Sequence, residues 1–205
     1  MSFANATLRV RFRHGRFIAA CLALSMLSAC AMEANRGAMT AALAPDQITA
    51  DITAIKSSIH VGTISGGETT NPLWTSQVSD VNFKAALEDS LALAVLKGDD
   101  TAPYVLNAKL VSLHQPFAGF DMTVTSTVDY TLQPVGGGKP LLDETVVTPY
   151  TAAFGDALVA AERLRLANEG AMRENIKEII ARLIKAAQPG GVLSKSAAVK
   201  TSSVQ

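Results

Sequence analysis

Cysteine is scarce in this chain. Its 205 residues hold two, Cys21 and Cys30, both within the stretch FIAACLALSMLSAC at residues 17–30. A fold stapled by several disulfides is thereby excluded, and stability has to come from a packed core. Long hydrophobic runs are missing as well. The best one, Phe17 to Leu27, falls short of the ~20 apolar residues that span a bilayer, and Ser25 and Ser28 dilute it. Histidine is limited to three residues; His60 and His114 have no Cys, His or Glu neighbours at ligand spacing, so no metal or cofactor is expected. Surplus charge is absent too, with 18 basic and 18 acidic residues. A nucleic-acid partner would want a clustered basic face, and this balance argues against one.

What is present first is a secretory signal. Arg9, Arg11, Arg13 and Arg16 precede the short apolar run with no acid among them. The run closes on Leu27-Ser28-Ala29-Cys30. That tetrapeptide resembles a bacterial lipobox at every position: a leucine, two small residues, then the cysteine that becomes the lipid-bearing N-terminus. The resemblance implies cleavage before Cys30, thioether lipidation and N-acylation there, and loss of Cys21 with the signal. One acyl chain binds a membrane only marginally, whereas two or more anchor stably. Ala31 follows the cysteine where Asp would mark inner-membrane retention, which by the convention of such lipoproteins implies the outer membrane. Losing residues 1–29 leaves 14 basic against 18 acidic residues, a net charge of −4.

Composition then divides the rest. Residues 1–29 read as signal, 30–50 as a lipid-anchored tether, 51–187 as one folded domain and 188–205 as a disordered tail. The tether, AMEANRGAMTAALAPDQITA after Cys30, is small and polar without a period, and the tail opens on Pro-Gly-Gly. Within the domain, Ile55, Ser57, Ile59 and Val61 alternate with polar neighbours as a first strand. GTISGGETTNPLWTSQ reads as loop. Asp80 is placed to cap a helix through Lys97, with the stripe Phe83, Leu87, Leu91, Ala94 and Val95. Tyr104, Leu106, Ala108 and Leu110 form the inner face of a second strand.

The third strand is the clearest: Met122, Val124, Val128, Tyr130 and Leu132 alternate with polar residues, and only Ser126 interrupts the apolar side. GGGKP at 136–140 turns the chain into a fourth strand from Leu141 to about Tyr150, making a long hairpin. Asp156 is placed to cap a last helix to about Ala187, its stripe marked by Leu158, Ala161, Leu164, Ala171, Ile179 and Leu183. Such a helix of ~48 Å matches a strand of ~40 Å. The expected fold is an α+β two-layer domain, a mostly antiparallel four-stranded sheet with two helices on one face in the order β-α-β-β-β-α.

Catalytic constellations are not found. GTISGG places its first glycine three residues before the serine, where a nucleophile elbow needs two. GGGKP lacks the spacing and the Ser/Thr of a phosphate loop. Asp143 and Glu144 are adjacent on a strand and point to opposite faces; Glu88/Asp89 and Asp99/Asp100 fit a solvated helix face and a loop. Trp74, the sole tryptophan, reads as a plug packed at the start of a helix, with an anchor for a partner as the alternative. Asn168 and Asn175 share the helix face of Leu164, Ala171 and Ile179. Buried there, each needs partners, with backbone at a sheet edge as one option; exposure at the margin is the other.

The lipobox, FKAALEDSLALAVL, YVLNAKLVSL, the hairpin TVDYTLQPVGGGKPLLDE and the closing RLRLANEGAMRENIKEIIARLIK together resemble small envelope lipoproteins of the LPS-assembly type over about residues 52–186. Lipoproteins accompanying ABC-type lipid transporters share much of the pattern. The resemblance implies a non-enzymatic, periplasm-facing lipoprotein held by Cys30, with an outer-membrane protein or a transporter subunit as partner. The outer sheet face with Thr123, Thr125, Thr127 and Thr131 is the partner-facing candidate, against plain solvation of a one-sided sheet. A lipid-carrying module needs a deep apolar cavity. An envelope acyltransferase would be built on hexapeptide repeats, and no internal repeat is seen.

Overall fold

The period of two in MTVTSTVDYTLQP runs the whole length of β3 (Met122–Pro134). Met122, Val124, Ser126, Val128, Tyr130 and Leu132 are buried, and the residues between them are not. Around this strand the computed structural model, which describes residues 31–44, 52–71 and 75–194, builds one sheet. Its order is β1-β2-β3-β4, with β1 (Ile59–Ser65) parallel to β2 (Tyr104–His114) and the pairs β2–β3 and β3–β4 antiparallel, β4 being Leu142–Ala152. A parallel pair needs a crossover, and α2 (Asp80–Leu93) supplies it. The β3–β4 hairpin turns through Gly136, Gly137 and Gly138, whose φ angles of 95°, 92° and 128° favour glycine.

Tyr130 places both long helices on the same face. Its ring meets Phe83 of α2 edge-on at 6.5 Å, and its hydroxyl donates to Asn175 of α3 (Ala160–Ala187) at 3.0 Å. The fold is therefore the two-layer α+β domain expected, in the expected order. At ~1.5 Å per residue α3 is about 42 Å long, and β3 at ~3.3 Å per residue is about 43 Å, so helix and hairpin cover each other end to end. Phe83, Leu87, Leu91, Leu106, Tyr130, Leu132, Met172 and Ile176 are all fully buried between the layers. Gly170 does not break α3. A Cβ there would come within 2.1 Å of the Tyr150 ring, so the missing side chain lets the helix lie flush on β4.

Several boundaries differ from expectation. Residues 31–44 are not a free tether: Ala34, Met39 and Ala41 are buried in the main core, and a short helix, α1 (Arg36–Met39), lies on α2 and α3. The first strand begins at Ile59 and continues through Gly62 to Ser65 into the expected loop; Ile55 is buried in a turn whose Ser57 has φ 49°. Helix α2 is capped by the Ser79 hydroxyl rather than by Asp80, and it stops at Leu93. Val95, with φ 59°, is exposed beyond its end.

At the other helix, Asp156 sits in a 3₁₀ turn (Phe154–Asp156) and accepts from the Ala153 amide, so α3 starts four residues later with no side-chain cap. Leu158 consequently falls outside the stripe and is exposed. Beyond Gln188 the chain remains attached at least as far as Leu193, which is fully buried. Trp74, Cys30 and residues 195–205 lie outside the described residues.

Candidate interaction surfaces

The two asparagines of α3 are structural. Asn175 donates through Nδ2 to the Val146 carbonyl of edge strand β4 at 3.0 Å and to Ser126 Oγ at 3.2 Å, while Oδ1 accepts from Tyr130. Burial pushes the Tyr130 phenol far above its usual range, so it stays a donor. Asn168 donates to the Ser76 carbonyl at 2.9 Å and accepts from Gln115 Nε2 at 3.0 Å. Ser126, the interruption in the apolar side of β3, faces the same seam. Its hydroxyl and that of Thr148 both reach the Ala171 carbonyl, at 3.1 and 3.0 Å. Asn175, Tyr130, Ser126 and Thr148 thus find partners across the helix–sheet boundary, which fixes how α3 seats on the hairpin, and Asn168 ties the helix to the loops at Ser76 and Gln115.

The predicted Thr residues all stand on the outer sheet face. Register lines them into rows: His114–Thr125–Pro149, Ser112–Thr127–Val147 and Asn107–Thr131–Asp143 across β2, β3 and β4, with Thr123 opposite Thr151. Thr123 and Thr151 share a hydrogen bond at 2.8 Å, and Thr145 donates to Asp129 at 2.6 Å. Thr131 and Asp143 help line a shallow depression of about 400 Å³ with Thr63, Asn107 and Lys109. This face offers hydroxyls and carboxylates in ordered rows, with Val147 and Pro149 standing among them.

A second surface runs along the free edge of β4. An open groove of about 760 Å³ lies between that strand and α3, lined by Leu141, Glu144, Glu178, Ala181, Arg182 and Lys185. Arg182 spans it, pairing with both Glu144 and Glu178 at 2.8 Å. Pro149 on β4 removes one donor from the edge, a feature that discourages unspecific strand addition.

A third surface was not anticipated from the sequence. At the end of the domain where α3 begins, Phe117, Phe120, Phe154, Leu158 and Val159 are all exposed, Phe120 by 80% and Leu158 by 81%. Phe120 and Phe154 contact edge-to-face at 5.7 Å. Arg163, itself 4% exposed, holds this end together. Its guanidinium lies 5.1 Å from the Phe154 ring centre and donates to the carbonyls of Gly119, Ala157 and Leu158. The signal that could have found it is the pair of phenylalanines in QPFAGFD, a polar loop by length and position.

Charged groups elsewhere serve the packing of the N-terminal segment. Glu169, 2% exposed, pairs with Arg165 and accepts from the Asn35 amide at 2.7 Å. Arg36 pairs with Asp89, and that hydrogen bond holds the Asp89 carboxyl below its ordinary range. Among the described residues no group of three or more His, Cys, Asp and Glu is placed to hold a metal, and no helix is long and apolar enough to cross a membrane.

Comparison with known proteins adds only distant structural likenesses. No family model matches the chain, and no curated protein matches it. Among solved structures it is similar to protein XCC0632 from Xanthomonas campestris, of the family DUF330, at 10% identity and a TM-score of 0.48, covering 62% of this chain and 83% of that one. It is also similar to an inferred lipoprotein from Caulobacter crescentus CB15, at 16% identity and a TM-score of 0.47 over 65% and 91% of the two chains. Protein CT253 from Chlamydia trachomatis aligns at 10% identity and a TM-score of 0.46 over 63% and 96%.

Proposed function

We propose that this chain is a lipid-anchored, periplasm-facing lipoprotein of the outer membrane that assists envelope assembly through protein contact, without chemistry of its own. The observation that carries the reading is the tetrapeptide Leu27-Ser28-Ala29-Cys30, which ends one residue before a domain whose first described residue, Ala31, is already packed. Anchoring there would hold the domain at the membrane surface, where a partner meets the Thr-bearing sheet face or the β4 edge. The role in LPS assembly rests on the resemblance in element order and lipobox. The filled layer between sheet and helices, with Phe83, Leu106, Met172 and Ile176 fully buried, favours a scaffold over a lipid carrier.

In-cell crosslinking of the tagged full-length protein, with mass spectrometry of what co-purifies from the outer-membrane fraction, tests the reading. An outer-membrane assembly barrel as main partner supports it. Subunits of an ABC-type lipid transporter would transfer the protein to the auxiliary lipoproteins, and recovery of no envelope partner would overturn both.

A further inference from the structure

We infer that the exposed apolar end of the domain, formed by Phe117, Phe120, Phe154, Leu158 and Val159, is a second membrane contact that inserts into the bilayer surface beside the acylated Cys30. The inference rests on the lipidation of Cys30 proposed above and adds an orientation to it. The direction of the N-terminal segment decides which end of the domain meets the membrane. The Asn35 amide bonds Glu169 and the Ala38 carbonyl accepts from Arg173, so this stretch runs along α3 toward its C-terminal end. Ala34 is held by Asn82 early in α2 and Ala41 by Ser90 near its end, so the stretch runs along α2 in the same sense.

Followed backwards, the chain therefore heads for the helix N-termini, the end that carries the exposed phenylalanines. Distances agree. From Asn35 back to Ala31 an extended chain covers about 13 Å, and from Glu169 back to Ala160 α3 rises about 14 Å. Ala31, the first described residue, then lies about level with the apolar end. Ala34 also lies beside this end laterally: its amide bonds the Gln77 carbonyl, and the neighbouring Ser76 carbonyl accepts from Gln115, two residues before Phe117.

The chemistry of this end fits a lipid surface. Its loops, QPFAGFD at 115–121 and AFGDALVAAE at 153–162, contain no lysine or arginine. Attraction to anionic headgroups is therefore not the driving force, and burial of apolar area is. Arg163 braces the two loops from inside, so the rings are presented without first having to be ordered. The bilayer would receive acyl chains and rings together, and the hairpin turn at Gly136–Gly138 would point into the periplasm.

The test uses mature full-length protein in zwitterionic phospholipid vesicles, with an environment-sensitive fluorophore on Phe117→Cys, Leu158→Cys or, as control, Gly137→Cys. Acylation blocks Cys30, so the introduced thiol is the labelling site, and the mass of the N-terminal peptide is read on the same samples. The expected result is an acylated Cys30, with emission at 117 and 158 shifted to shorter wavelength and quenched by nitroxide-bearing lipids while that at 137 is not. Replacing part of the zwitterionic lipid by anionic lipid should leave the quenching unchanged. Acylated protein whose labels at 117 and 158 are as open to an aqueous quencher as that at 137 would overturn the inference and leave the anchor standing. A free Cys30 would overturn the anchor and the inference together.

Discussion

Tyr130 and Asn175 meet at 3.0 Å in the fully buried layer between β3 and α3, with the phenol donating to the amide oxygen. Neither could keep its polar group there alone, because an unpaired buried donor or acceptor costs about 1–3 kcal/mol. Tyr130→Phe should therefore lower stability by about 1–2 kcal/mol. Asn175→Ala, which also strands the Val146 carbonyl and opens a small cavity, should cost more, about 3 kcal/mol. Urea unfolding of the two variants and of the double mutant checks this: the double mutant should cost clearly less than the sum, since both changes break one bond.

Gly170 makes the opposite kind of prediction. In an exposed helix Gly→Ala gains close to 1 kcal/mol. Here the added methyl would collide with the Tyr150 ring, with its Cγ as well as its outer carbons. Gly170→Ala should therefore destabilise by about 1–3 kcal/mol. Pairing it with Tyr150→Ser, which empties the space, should return the ordinary helix gain and raise the melting temperature above that of Tyr150→Ser alone.

Where side chains follow a regular period, the fold could be read. The hairpin was legible because β3 alternates without exception, Ser126 included, and the sheet's inner face on β2 falls where Tyr104, Leu106, Ala108 and Leu110 place it. Asn168 and Asn175 were legible as members of the helix face; Asn175 binds backbone of the edge strand β4 as one option had it, whereas Asn168 binds the carbonyl of Ser76 in the loop before α2. The misses share a cause: local geometry without a period. Val95 and Leu158 fit a helical stripe by spacing, yet a positive φ removes the first and a 3₁₀ turn the second. Residues 31–44 pack through Met39 and three alanines, Ala31, Ala34 and Ala41, too few and too irregularly spaced to generate an amphipathic pattern. The apolar end is made by residues from two loops far apart in sequence, and no linear pattern brings Phe120 to Phe154.

The N-terminal segment should respond to acid through Asp89. Its carboxyl is held below the ordinary value of 3.8, first by the hydrogen bond from Arg36. A carboxylate with a depressed folded-state pKa stabilises fully above the unfolded value and loses that contribution as pH falls through the folded one. Asp89→Asn should thus melt lower than wild type at about pH 6, and the difference should shrink as the pH falls below the ordinary carboxylate range and through the depressed folded-state value. Thermal melts across that range provide the check, and a difference independent of pH would assign the effect to packing instead.

The sheet face can be separated from plain solvation. Thr125 and Thr127 are partly exposed beside His114, Ser112 and Val147. Thr125→Lys with Thr127→Lys should leave the melting temperature within a few degrees, as surface changes generally do. If this face docks the partner, recovery of crosslinked partner should fall severalfold. Unchanged recovery would assign the threonines to solvation and direct attention to the β4 edge.

The lipid anchor at Cys30 is tested most directly by the mass of the mature N-terminus. The full-length protein is expressed in a bacterial envelope, digested, and the peptide ending at Arg36 is weighed. The expected peptide begins at Cys30 and carries diacylglyceryl and N-acyl groups, and the protein partitions with membranes until Cys30→Ser releases it. A peptide beginning at another residue, or Cys30 with a free thiol, would contradict it.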